Sequence, residues 1–281
     1  GAPGLAKTRA IKVLSDSIEG SFNRLQFTPD LLPADLTGTE IYRPQKGTFE
    51  FREGPLFHNL ILADEINRAP AKVQSALLEA MEERQISVGD KSYELSDLFL
   101  VMATQNPIEQ EGTYPLPEAQ LDRFLLHVEV GYPSLKDEQK ILTLNRDEAK
   151  SSDKNTFTPS KLLTKESIYH ARQEILALHQ SNELEEYIVN LVVATRDPGK
   201  VDQSLAEQIL YGASPRACMG IDRAARACAW LKGKDFVGPE DIQEVAPDVL
   251  RHRLVLSFEA EADGITSNQI IAKLLNNIGV P

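Results

Sequence analysis

The stretch Leu60-Ile61-Leu62-Ala63-Asp64-Glu65 decides the fold. Four apolar residues in a row, too short a run for a helix, read as a strand buried on both faces. Two adjacent acids stand at its carboxyl end, the edge where open α/β sheets bind ligands. Phe99-Leu100-Val101-Met102-Ala103-Thr104 repeats the pattern and runs into Gln105-Asn106-Pro107. Leu125-Leu126-His127-Val128-Glu129-Val130 reads as a third strand. Between the first two, Val73, Ala76, Leu77, Ala80 and Met81 recur at helical spacing. Apolar strands joined by helices predict a parallel sheet covered on both faces.

Two hairpins interrupt this pattern. Ile86, Val88, Tyr93 and Leu95 alternate with polar residues around Gly89-Asp90. Phe49 and Phe51 alternate between Gly47 and Gly54-Pro55. After Tyr132-Pro133 the periodicity becomes helical. Leu184, Ile188, Leu191 and Val192 form one stripe, and Ala217, Ile221, Ala224, Ala225 and Cys228 another. Pro239-Glu240-Asp241 reads as a helix start. Ile270, Ile271, Leu274, Leu275 and Ile278 make a last stripe, closed by Gly279. A domain boundary is therefore placed after residue 132, with an α/β domain over 1–132 and a smaller helical domain over 133–281. The polar stretch Ser151 to Pro159 reads as a loop.

The chain has 281 residues, which is length for roughly two domains. Its formal charge of −12 argues against a protein that coats nucleic acid. No run approaches the ~18 apolar residues of a membrane span, so no membrane insertion is expected. No secretory leader is visible. Cys218 and Cys228 make no disulfide framework and suit a reducing, cytoplasmic location. They read as small core residues, and Trp230 likewise. His58, His127, His170, His179 and His252 show no metal-binding spacing.

The chain opens on Gly1-Ala2-Pro3-Gly4-Leu5-Ala6-Lys7-Thr8. This nearly matches a phosphate-binding loop, with Ala6 where the pattern has glycine. Glycines let backbone N–H groups wrap phosphates with no Cβ in the way. Lys7 is placed to put a charge on the β- and γ-phosphates, and the Thr8 hydroxyl to ligate Mg²⁺. The following helix aims its positive N-terminus at the same phosphates. Asp64-Glu65 supplies what such a loop lacks. Successive strand side chains point opposite ways, so the two acids should have different tasks. Asp64 is expected to hold Mg²⁺ through its water shell, and Glu65 to orient or deprotonate the attacking water. Loop and acids together predict a nucleoside triphosphatase. A phosphate loop normally follows a strand, so a first strand and an adenine-contacting segment are expected upstream of residue 1.

The ordered set of Gly1–Thr8, Asp64-Glu65, Asn106, Leu121-Asp122-Arg123-Phe124 and Ser214-Pro215-Arg216 resembles the AAA+ ATPases, specifically the MoxR family. The telling stretches are Phe27-Thr28-Pro29-Asp30-Leu31-Leu32-Pro33, Ala63-Asp64-Glu65-Ile66-Asn67-Arg68-Ala69, Ala103-Thr104-Gln105-Asn106-Pro107 and the run from Glu109 to Phe124. The likeness covers nearly the whole chain. It implies a P-loop AAA+ parallel sheet flanked by helices, followed by a smaller all-helical lid domain. It implies an ATP hydrolase that uses ATP and Mg²⁺.

The resemblance also implies roles for single residues. Asn106 resembles the sensor-1 residue that helps place the attacking water; alone it reads as an Asn-Pro turn. Arg123 resembles the arginine finger that reaches the γ-phosphate of a neighbouring subunit, against the plainer reading of a salt bridge to Asp122 or Glu118. Arg216 resembles the sensor-2 arginine, against that of an ordinary arginine at a helix start. Arg68 is a further candidate for a subunit contact. A finger donated from next door calls for a closed ring of heterologous contacts; the family suggests six subunits. The hairpins at Gly47–Leu56 and Ile86–Leu95 look like those that face a ring pore in one AAA+ subgroup. The family further implies a chaperone-like role on a client protein, often with a von Willebrand factor A domain partner. Three other readings stand beside this one. A DNA motor predicts basic hairpin tips, where Lys46 and Lys91 stand. A metal-chelatase motor subunit is separable only by its partner. A nucleotide-gated scaffold needs neither Glu65 nor Arg123.

Overall fold

The structure, a computed structural model, describes residues 7–105, 113–150 and 163–280, with the backbone alone at Lys7, Thr8 and 148–150. Helix α1 (Lys7–Asp16) is followed by strand β1 (Phe22–Gln26), helix α2 (Pro33–Thr37) and strands β2 (Gly38–Arg43), β3 (Thr48–Glu53) and β4 (Leu60–Asp64). Then come helix α3 (Ala71–Glu83), strands β5 (Gln85–Val88), β6 (Lys91–Glu94) and β7 (Leu100–Ala103), and helices α4 (Glu118–Leu121), α5 (Leu135–Lys150), α6 (Lys165–Ala177), α7 (Asn182–Arg196) and α8 (Gln203–Gln208). Strand β8 (Ile209–Tyr211), helices α9 (Pro215–Leu231) and α10 (Pro239–Leu250), strand β9 (Val255–Leu256) and helices α11 (Phe258–Ala262) and α12 (Ser267–Asn277) complete the order. Contacts divide the chain into two units: Gly1–Leu116 with Glu129–Ile168, and Pro117–Val128 with Tyr169–Pro281. Among the described residues no helix is long and apolar enough to cross a membrane.

In the first unit the sheet order is β1-β4-β7, all parallel. The apolar run behaves as its composition dictates: every residue of β4 is buried. Asn59 fixes the entry to that strand. Its side chain accepts from Ser21 N at 3.0 Å and donates to Ser96 Oγ and Leu98 O at 2.9 Å. Helix α3 buries Val73, Leu77 and Ala80, as its spacing predicts, and Leu78 beside them. Both hairpins form, β2 with β3 and β5 with β6. The first closes tightly at its base: a Cβ on Gly54 would lie 2.3 Å from Leu36 O. The second turns at Gly89, whose φ of +60° favours glycine. Phe51 of one hairpin stacks on Tyr93 of the other, ring centres 4.1 Å apart.

One strand goes unread in the sequence, and one strand expectation changes. Strand β1 carries no apolar run, only Phe-Asn-Arg-Leu-Gln with two exposed positions, and pairing with β4 places it in the sheet. The stretch 125–130 forms no strand. Leu125 O accepts from Arg253 Nη1 at 3.2 Å, and His127 N donates to Asp248 O at 2.8 Å. Leu125 O, His127 N and His127 O are thus bonded within the helical unit rather than to a neighbouring strand.

The second unit packs α7, α9, α10 and α12 around Leu191, Ile221, Ala246, Val249, Ile270 and Leu274. Caps begin its helices: Ser181, Ser214 and Thr266 each accept a hydrogen bond from a first-turn N–H. Gly220 lets α9 approach α10; a Cβ there would meet Val249 Cγ1 at 3.0 Å. One short antiparallel ladder, β8 with β9, is its non-helical element among the described residues. Cys218 and Cys228 are half-buried, as is Trp230, whose Nε1–H donates to Glu174 at 2.9 Å.

Candidate active site

The acidic pair sits at the carboxyl end of β4, but its geometry is not that of a continuing strand. β4 stops at Asp64, and Glu65 turns into the left-handed region at φ 56°, ψ 50°. Alternation along a strand therefore does not separate the two carboxylates; a backbone turn does. That conformation costs a non-glycine residue of order 1–2 kcal/mol, so the surroundings must impose it. Thr104, at the end of β7, imposes it. Its N–H donates to Ala63 O at 2.9 Å and its carbonyl accepts from Ile66 N at 3.1 Å. Its Oγ1 accepts from Glu65 N at 2.9 Å and donates to Asp64 Oδ1 at 2.5 Å.

The carboxylates then find different partners. Asp64, with its side chain 12% exposed, takes Arg24 on Oδ2, at 3.1 Å from Nε and 2.5 Å from Nη2. Glu65 takes Gln26 Nε2 at 2.9 Å and Arg68 Nη1 at 3.0 Å, both on Oε2. Arg24 and Gln26 are two apart on β1, so they share a face of the sheet and reach neighbouring acids. Asp64 fits a hard cation that keeps most of its waters. Oδ1 is committed to Thr104, and Oδ2 faces Arg24, whose half-exposed side chain can swing away. Thr8 would be the second oxygen donor; its side chain, the loop Gly1-Ala2-Pro3-Gly4-Leu5-Ala6, the side chain of Lys7, and Asn106 lie outside the described residues. The backbone of Lys7 and Thr8 starts helix α1, as expected of a phosphate loop that feeds a helix. Among the described residues no three His, Cys, Asp or Glu side chains cluster to hold a metal by themselves.

The two candidate arginines lie in the helical unit. Arg123 is exposed just past α4. Arg216 stands in the first turn of α9, behind the Ser214 cap and Pro215, with Nη1 3.5 Å from Asp122 Oδ2. Ser214 Oγ donates to the same oxygen at 2.8 Å. Asp122 Oδ1 accepts from Arg253 Nε at 2.8 Å. The residue next to Arg123 thus holds the residue that carries the sensor-2 likeness. Close by, His252 places Nε2 3.0 Å from Phe124 O and 2.8 Å from Arg253 Nη1. Burial, and then the Arg253 charge beside it, pushes its imidazole down to about 4.

Arg24, Gln26, Thr104 and Arg253 escape a reading of the sequence. Arg24-Leu25-Gln26 carries a faint signal, polar residues at alternate positions before the Phe27–Pro33 stretch. Arg251-His252-Arg253 carries none, since a basic run after a helix reads as solvated surface.

A family profile described as "ATPase family associated with various cellular activities (AAA)" matches residues 1–126, and one described as "AAA lid domain" matches residues 202–274. Chaperone MoxR1 of Mycobacterium tuberculosis is 47% identical over 285 residues, which take in 100% of this chain and 73% of that protein. Protein MoxR of Paracoccus denitrificans is 32% identical over 282 residues, 92% of this chain and 78% of that one. A crystal structure from Cytophaga hutchinsonii superposes with a TM-score of 0.91 at 48% identity, covering 100% of this chain and 84% of the other.

Proposed function

The chain belongs to the MoxR family of AAA+ ATPases and hydrolyses ATP, and we propose that it does so as one subunit of a ring that remodels or activates a client protein. In this reading an α/β domain over 1–132 binds the nucleotide and a lid over 133–281 responds to it. Gly1, Ala2, Pro3, Gly4, Leu5, Ala6 and Lys7 cradle the phosphates. Thr8 and, through water, Asp64 hold Mg²⁺, which when bound neutralises charge on the phosphate oxygens. Glu65 orients the attacking water and accepts its proton. Asn106 helps place that water. Arg216 senses the nucleotide. Arg123 stabilises charge on the γ-phosphoryl oxygens of the neighbouring subunit, which is why a ring, of six subunits by family likeness, is needed. A von Willebrand factor A domain partner and a cytoplasmic location complete the proposal.

One observation carries the mechanism: Glu65 is held out of the strand by a left-handed turn that Thr104 pins, so it stands apart from Asp64 with a carboxylate partly open to solvent. A protein client is favoured over DNA by the hairpin lysines. Lys46 pairs with Glu50 at 3.0 Å and Lys91 with Glu40 at 3.7 Å, so each of these lysines already has an acidic partner on the hairpins. Replacing Glu65→Gln in the assembled protein is expected to lower kcat by about 10²- to 10⁴-fold while ATP still binds. Steady-state ATPase and nucleotide-binding assays read both. Unchanged turnover would refute the assignment, and capture of nucleic acid alone by the ATP-loaded variant would refute the client class.

A further inference from the structure

Arg253 lies deep in the helical unit, beside the loop that carries Arg123. Its guanidinium side chain is only 3% exposed. Nε donates to Asp122 Oδ1 at 2.8 Å, and Nη2 donates to Asp122 O at 3.1 Å and Phe124 O at 2.7 Å. Nη1 donates to Leu125 O at 3.2 Å and also to Val249 O. One planar fork therefore reads three backbone carbonyls that flank Arg123, at 122, 124 and 125, and ties them to the end of α10. A lysine, with a compact charge and three donors, cannot reproduce that pattern. The Asp122 carboxylate faces two ways. Oδ1 takes Arg253, while Oδ2 takes Ser214 and Arg216 at the start of α9.

We propose that Arg253 is a positioning residue for ATP hydrolysis, which through Asp122 sets the loop bearing Arg123 and the helix start bearing Arg216 as one unit. The inference rests on the roles proposed above for those two arginines. A buried ion pair adds little stability over an apolar replacement, so its value here lies in geometry. The hub makes the two arginines interdependent. A shift of Arg216 pulls on Asp122 Oδ2, Asp122 is the residue before Arg123, and Arg253 stops the loop from yielding. The hub leaves ATP affinity to the phosphate loop and governs where the cations stand when charge develops. An error of about 1 Å in such placement costs on the order of 10²-fold in rate.

The test uses Arg253→Lys and Asp122→Asn in the full chain, with Asp122→Asn retaining the shape should the lysine variant fold poorly. Turnover of the assembled protein is expected to fall by about 10- to 100-fold, while KM for ATP moves less than about threefold. In a background carrying both Arg123→Ala and Arg216→Ala the same substitutions are expected to lower turnover by less than about twofold further, because they act through the two residues already removed. A structural defect alone would cost the same factor in both backgrounds, and that result, or full activity of both single variants, overturns the proposal. If Arg123→Ala itself leaves turnover intact while Arg253→Lys reduces it, the finger assignment is what has failed, and the positioning role falls with it.

Discussion

Asp64 and Asp122 are similarly buried, with side chains 12% and 15% exposed, and each holds an arginine, but the two arginines differ widely in burial. Arg24 over Asp64 is 51% exposed, whereas Arg253 over Asp122 is 3% exposed. Arg24 spends its described hydrogen bonds on one carboxylate oxygen. Arg253 spreads its own over a carboxylate and four backbone carbonyls. An exposed pair is screened and weak, typically 0–1 kcal/mol, while removing one member of a buried pair costs about 3–5 kcal/mol. The strand edge is built from partners that can leave, which suits the metal-holding role proposed for Asp64. The helical unit is built from partners that stay, which suits cations that must be found in place.

The sharpest way to break this contrast is to truncate each arginine in turn. Arg253→Met should destabilise the helical unit by about 3–5 kcal/mol in urea titrations, since Asp122 Oδ1 and the carbonyls of Asp122, Phe124 and Leu125 lose their buried cationic donor. Arg24→Met should change stability by no more than about 1 kcal/mol. Equal effects would erase the distinction. An intermediate effect comes from pH. His252 is 8% exposed and faces Arg253, His127, Asp122 and the Phe124 carbonyl. Its folded-state value is about 4 against 6.5 unfolded. A depressed value means stability that is full above 6.5 and declines as pH falls towards 4, by about 3 kcal/mol at most. Denaturant titrations at pH 7.5 and 4.5 should show that loss concentrated in the helical unit, and His252→Gln should remove most of it. A pH-independent wild type would contradict the buried, neutral imidazole.

Legibility followed the same divide. β4, α3 and the helical stripes were readable because burial of apolar residues sets their period. β1 was not, because its half-exposed Phe-Asn-Arg-Leu-Gln gains its strand identity only from pairing with β4. Residues 125–130 look like a strand and are none, because the carbonyls of Phe124, Leu125 and His127 are taken by Arg253, His252 and Arg251 from more than a hundred residues away. At the site, the identities of Asp64 and Glu65 were visible, but the left-handed turn between them was not. It comes from Thr104, thirty-nine residues on from Glu65. The hub of Asp122 and Arg253 spans an even longer separation and has no local signature.

The central claim is that the active site is shared, with Glu65 from one subunit and Arg123 from the next. Mixing separately inactive Glu65→Gln and Arg123→Ala subunits tests it most directly. Each mixed interface that joins an intact Glu65 to an intact Arg123 should work, so an equal, randomly assembled mixture should recover about a quarter of the wild-type ATPase rate. A mixture no more active than its separate components would place both residues in the same subunit's site and contradict the account.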